Sequence, residues 1–222
     1  MNANVMRCIL DNRNRFPMRI FQSREDAAQK IIRFQQSYGL PVDTLVFVPM
    51  GGLPLNDAFL SNYPNLNSYA FPVVKIPSTT DSRFGVGALD IKGNALLNEY
   101  ALSILCESED ELQVNIMTAL NKQGALAKRF NFCYPDSQHF SDKNILILDD
   151  GLSSGLTIEA VLNSIFEIGI PKAVNCLFPV AYSIGIHRIR KKFTNINIFS
   201  LFVDSEPIFL VDDFYYDFTE VR

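Results

Sequence analysis

The chain has 222 residues, 48% hydrophobic and 20% charged, the proportions of a soluble globular chain; they exclude a disordered tail, a collagen-like repeat and a coiled coil. With 20 basic and 24 acidic side chains the net charge is −4, so no basic footprint for a nucleic-acid backbone is present. No apolar run approaches the ~20 residues of a membrane helix, and two histidines without a CxxC leave little material for a zinc or iron site.

In chain order, the opening MNANVMRCILDNRNRF has no sustained apolar stretch, so no signal peptide is expected. The scattered Cys8, Cys106, Cys133 and Cys176 read as reduced thiols of a cytoplasmic protein. Ser23 with Asp26 three residues on predicts a helix start, Ala27, Ala28, Ile31 and Ile32 recur at helical spacing, and Gly39 with Pro41 ends the run. Thr44 to Pro49 is a continuous apolar run of strand length, which must be covered on both faces and so points to a parallel sheet. Gly51 and Gly52 follow, then a short helix around Leu55 to Leu60 and a second strand through Tyr69 to Ile76. Residues 77 to 94 are polar, glycine-bearing and aperiodic, which predicts a lid or binding loop. Ser108 and Glu111 open another helix carrying Leu112, Ile116 and Leu120. Beyond it, Ile145 to Leu148 reads as a buried strand, and Ile158, Val161, Leu162 and Ile165 as a helix face stopped by Gly169 and Pro171. A strand over Ala173 to Pro179, a basic helix over 183 to 192 and a strand over Asn197 to Val203 complete the chain. The alternation predicts an open, mostly parallel α/β sheet flanked by helices.

One motif carries chemistry. Residues 145 to 157, ILILDDGLSSGLT, end a buried strand with two aspartates, then a loop of glycines and hydroxyls opens a helix. Ligands of open α/β sheets bind beyond the carboxyl ends of the strands. The loop Gly151 to Thr157 would aim backbone N–H groups at one point, with Ser153, Ser154 and Thr157 adding hydroxyls, which suits a phosphate. Ionised Asp149 and Asp150 accept only, which suits vicinal sugar hydroxyls. Acids for a diol beside a nest for a phosphate describe a ribose 5-phosphate. The plainer reading is an acid pair that caps the next helix. A phospho-accepting receiver domain fails on length, since too few residues follow Gly151.

This motif resembles the phosphoribosyl pyrophosphate signature of type I phosphoribosyltransferases, and the chain is most similar to their stand-alone bacterial branch of unassigned function. FQSREDAA (Phe21 to Ala28) is similar to the branch's F-x-D-R-x-x-A, VFVPMGGLPL to its strand and P-R-G-G, VVKIPSTTDSRFGVGAL to its V-R-K segment and mobile loop, and VDDFYYDFTEV to its ending V-G-x-x-Y-x-D-F. The resemblance implies a Rossmann-like phosphoribosyltransferase domain over 1–222, with a core at about 21–205 and a hood from 1–20 and 206–222. It implies transfer of phosphoribosyl to an acceptor, often a nucleobase, with release of pyrophosphate and with Mg²⁺ entering on the donor. Small-molecule substrates are the implied partners, without nucleic acid or membrane, and a homodimer is the family habit.

On this likeness Asp149 and Asp150 take the ribose hydroxyls, and Gly151, Leu152, Ser153, Ser154, Gly155 and Thr157 the 5-phosphate. The turn of Met50, Gly51 and Gly52 takes pyrophosphate through backbone N–H groups, often with a strained peptide, and Lys75 adds a phosphate contact. No dedicated protein cage for the metal is implied. Met50 stands where the branch has arginine, and a guanidinium there would offer charge-assisted bonds of ~1.5–3 kcal/mol. Arg83, where the branch has glutamate, is expected to offset that loss on loop closure, against the plain reading of a solvated arginine. Phe214, Tyr215, Tyr216 and Phe218 form either an acceptor wall, with Tyr215 its best candidate, or ordinary core packing. Met50 also sustains an alternative of another class, a degenerate phosphoribosyltransferase fold that senses a phosphoribosylated ligand without turnover. Hydrolysis, with water as acceptor, is a third.

Overall fold

The run Thr44–Phe47 is buried at every position, as its unbroken apolar character requires, and forms β1. The computed structural model describes residues 19–82, 84–105, 108–205 and 210–217. Around β1 the chain order is α1 (Arg24–Tyr38), β1, α2 (Leu53–Asn62), β2 (Asn67–Ala70), β3 (Val74–Pro77), β4 (Gly85–Leu89), β5 (Ala95–Leu97), α3 (Glu99–Leu105) and α4 (Glu109–Arg129). There follow β6 (Asn144–Leu148), β7 (Gly151–Leu152), α5 (Leu156–Ile168), β8 (Ala173–Tyr182), α6 (Ser183–Lys192) and β9 (Ile196–Asp204). A six-stranded parallel sheet runs β2-β1-β6-β8, with β7 and β9 both pairing β8.

Alternation along the strands divides the core. Leu45, Phe47, Leu146, Leu148 and Leu177 pack with Ala28 and Ile31 of α1 and Leu55 and Phe59 of α2. Val46, Ile145, Ile147, Val174 and Cys176 pack with Ile158, Val161, Leu162 and Ile165 of α5. Helix starts follow the local signals. Asp26 N–H donates to Ser23 Oγ at 3.3 Å, and Ser108 and Glu111 exchange backbone-to-side-chain bonds as a capping box. Gly39, at φ 59°, closes α1 in the left-handed region.

Two expectations need correction. Tyr69 to Ile76 is not one strand: Pro72 offers no N–H to a ladder and restrains Phe71, so the chain leaves the parallel sheet after β2. It re-enters as β3 of a separate antiparallel sheet, β3-β4-β5. Residues 77 to 94 are therefore not all loop, since Val86, Ala88 and Leu89 of β4 are buried. Gly85 and Gly87 hid that strand, yet they permit it. A Cβ on Gly87 would lie 2.6 Å from the Leu96 carbonyl oxygen of β5.

The topology also locates a crevice. β1 has β2 on one side and β6 on the other, so the order in which strands are added reverses between β1 and β6. Ligands of open α/β sheets bind at such a switch, beyond the carboxyl ends. The described parts of the two end segments lie together. Ile20 and Phe21 donate N–H bonds to the Phe214 carbonyl, and Tyr216 N–H returns to that of Phe21. Among the described residues no helix is long and apolar enough to cross a membrane.

Candidate active site

At the switch, β6 stops at Leu148 and the chain steps through Asp149 and Asp150 before β7. Leu148 pairs with Leu177 and Gly151 with Val180, so β7 resumes along β8 in the register β6 left. Only the two aspartates fall out of the ladder. Facing them is the turn that leaves β1. A Cβ on Gly51 would stand 2.5 Å from the carboxyl carbon of Asp150, and one on Gly52 would stand 2.7 Å from the carbonyl oxygens of Val48 and Leu148. The turn touches the acid step, and only glycine permits it. Met50 holds φ at 76°, a conformation that costs a non-glycine residue about 1–2 kcal/mol.

Beyond the acids, Gly155 precedes α5 at φ 85°, and no side chain caps the helix. The plain reading of the acid pair as a helix cap is therefore removed, and the first N–H groups of α5 are left to the loop. Ser153 is exposed and Ser154 and Thr157 are half-buried, whereas the Leu152 side chain belongs to the core. The loop is buttressed from both sides. A Cβ on Gly151 would strike Val211, and one on Gly185 of α6 would strike the Ser153 carbonyl. The basic helix α6 is not simply a solvated face, because buried Glu159 accepts from Arg188 at 3.0 Å and Lys192 at 2.8 Å.

Arg24, at the start of α1, completes the acid step. Its Nε donates to Asp150 Oδ2 at 2.8 Å and its Nη2 to Asp212 Oδ1 at 2.6 Å. The guanidinium lies 5.2 Å from the Tyr215 ring centroid, and the Tyr215 hydroxyl donates to the Asp150 carbonyl at 2.8 Å. Asp150 N–H in turn donates to Asp149 Oδ1 at 2.9 Å. Burial, and then the neighbouring Asp150 charge, push the Asp149 carboxyl well above the usual aspartate range. Burial also raises Asp150, but Arg24 pulls it back toward the ionised form.

Tyr215 is fully buried, packed between Phe21 and Arg24, with its hydroxyl on the Asp150 carbonyl. Phe214 is likewise buried and Tyr216 is exposed. Phe218 and Arg83 lie outside the described residues. Lys75, on β3, keeps contact with solvent, while the protein around its ammonium, and then Lys122, hold its pKa below the ordinary lysine value. Met50 packs with the apolar cluster between α4 and the antiparallel sheet. Arg129, the last residue of α4, places Nη1 3.9 Å from its sulfur. Arg24, Asp212, Lys122 and Arg129 are the residues the sequence reading did not single out. Arg24 lies inside the matched FQSREDAA stretch, but nothing local marks a partner 126 residues away.

No family model and no curated protein matches the chain. Among solved structures it is similar to TT1426 from Thermus thermophilus, with a TM-score of 0.62 and 23% identity over 91% of this chain and 93% of that one. The two share a fold. Purine phosphoribosyltransferase from Pyrococcus horikoshii aligns with a TM-score of 0.47 and 13% identity, over 85% of this chain and 88% of its own. Adenine phosphoribosyltransferase from Thermoanaerobacter pseudethanolicus aligns with a TM-score of 0.41 and 14% identity, over 80% and 78%.

Proposed function

We propose that this chain is a phosphoribosyltransferase, which moves phosphoribosyl from phosphoribosyl pyrophosphate to a nucleobase-like acceptor. The observation that carries the reading is the contact of the Gly51 turn with the Asp150 carboxylate, at the switch point of the sheet. The glycine turn after β1, the acids after β6 and the glycine–hydroxyl loop opening α5 would take the three parts of the donor, and the Gly51–Asp150 contact sets the first two side by side. In the reaction a bond forms from the ribose anomeric carbon to an acceptor nitrogen as the bond to pyrophosphate breaks, its electron pair leaving with pyrophosphate. Positive charge grows on the ribose and negative charge on the leaving group, so positioning and charge stabilisation supply the catalysis.

Asp149 and Asp150, the latter held beside Arg24, would accept the ribose hydroxyls. The loop 151–157 would hold the 5-phosphate through N–H groups and hydroxyls. Two adjacent carboxyl groups offer the hard oxygen ligands that suit a divalent cation shared with the sugar diol. Asp149 and Asp150 are thus the residues that would help hold Mg²⁺. When bound, Mg²⁺ would neutralise charge on the departing pyrophosphate.

Calorimetry with phosphoribosyl pyrophosphate and Mg²⁺, then nucleobase screening for pyrophosphate release, tests the reading. Binding with release under one acceptor is expected, and the Asp149→Asn, Asp150→Asn double variant should lose ribose recognition. The thioether at position 50 favours the second reading, a sensor, which binding without release under every acceptor would establish. Absence of binding overturns both.

A further inference from the structure

The pyrophosphate turn carries a thioether where a cation would serve, and the fold brings a cation to it. Arg129 ends α4, and Leu126, one turn earlier, is buried in the cluster that also holds Met50, Val74 and Ile76. The helix end is thereby fixed against β3. From there Nη1 of Arg129 reaches to 3.9 Å from Met50 Sδ, across 79 residues of sequence. The thioether is a weak acceptor, and the guanidinium also lies 5.5 Å from the ring centroid of Phe130. Among the described residues no carboxylate pairs with it. Arg24 is held by two acids and Arg188 by Glu159. Arg129 is exposed, so its remaining donors are met by water and can be given to a ligand without breaking an ion pair. On α4, Lys122 lies seven residues earlier, on nearly the same face, and its charge is felt at Lys75 of β3. This face of α4 therefore carries two cations, while Lys75 also feels Asp212 and Asp81.

We infer that Arg129 is the substrate-binding cation of the Met50–Gly51–Gly52 turn, receiving the pyrophosphate end of the donor in its planar fork; this rests on the reading proposed above. A guanidinium presents paired N–H groups that match phosphate oxygens, which an ammonium does not. Helix α4 thus supplies from the side what position 50 does not supply from the turn itself.

The test is calorimetric, with three probes: inorganic pyrophosphate, phosphoribosyl pyrophosphate and ribose 5-phosphate, each with Mg²⁺. Arg129→Ala should weaken the two pyrophosphate-bearing probes about tenfold or more and ribose 5-phosphate less than about twofold. Arg129→Lys should recover only part of the loss, Lys128→Ala should change nothing, and Met50→Arg in the Arg129→Ala background should restore binding. Unchanged pyrophosphate affinity in Arg129→Ala, or no pyrophosphate affinity in the native chain, overturns the inference. If ribose 5-phosphate fails to bind the native chain, the functional reading falls separately.

Discussion

Arg24 Nε and Asp150 Oδ2 meet at 2.8 Å, joining the first turn of α1 to the acid step that follows β6. Both side chains are largely withdrawn from water, at 13% and 16% exposure, and the second nitrogen of the same guanidinium holds Asp212 near the C-terminus. The Asp150 carboxylate is thus oriented by a residue that lies outside its own loop.

Arg24→Gln leaves Asp150 withdrawn from water without its cation. Removing one partner of a buried pair costs 3–5 kcal/mol, and the remaining exposure here reduces that to about 2–4 kcal/mol. Urea unfolding should show that loss, and donor binding should weaken with it. Unchanged stability would show that Arg24 does not hold the acid.

Gly51→Ala places a methyl group 2.5 Å from the Asp150 carboxyl carbon, and Arg24 prevents that side chain from swinging away. Overpacking of this kind costs about 1–3 kcal/mol. Because the clash is with a single side chain, Asp150→Ala in the same chain should recover most of the loss. Simple additivity in the double variant would remove the contact from the account.

Tyr215→Phe deletes the hydroxyl bond to the Asp150 carbonyl while leaving the ring packed on Phe21. A loss of about 1 kcal/mol is expected, read as a lower denaturant midpoint at unchanged slope. If the tyrosine serves an acceptor instead, acceptor KM will rise with stability intact.

Asp149 makes stability depend on pH. Its carboxyl is raised in the fold, so above the ordinary aspartate value of ~3.9 the native state keeps a proton that the unfolded chain has released. That contribution is complete below the ordinary value and declines as pH climbs through the folded one. Asp149→Asn carries no such proton, so its thermal midpoint, relative to the native chain, should rise with pH and then level off. A constant difference from pH 4 to pH 8 would refute the assignment of the proton.

The acid step, its loop and the helix it opens were legible in the sequence because they are contiguous, and strand, turn and helix each leave local marks. The parallel sheet was legible for the same reason, in the unbroken apolar runs at Thr44 and Ile145. What escaped was long-range or disguised. Arg24 reaches Asp150 across 126 residues and Arg129 reaches Met50 across 79, and no periodicity encodes such pairs. β4 was hidden because Gly85 and Gly87, which allow the close approach of its neighbours, look like loop residues. Pro72 concealed the boundary at which one apparent strand divides between two sheets.

The shared register of β6 and β7 along β8 makes β8 a ruler laid beside the acid step. Side chains alternate along a strand, so one residue added or removed between Leu148 and Gly151 would turn Leu152 out of the core. It would also carry a side chain into the space against Val211 that Gly151 leaves open. The two-residue length of the acid step is as much a property of the sheet as the carboxylates are of the site.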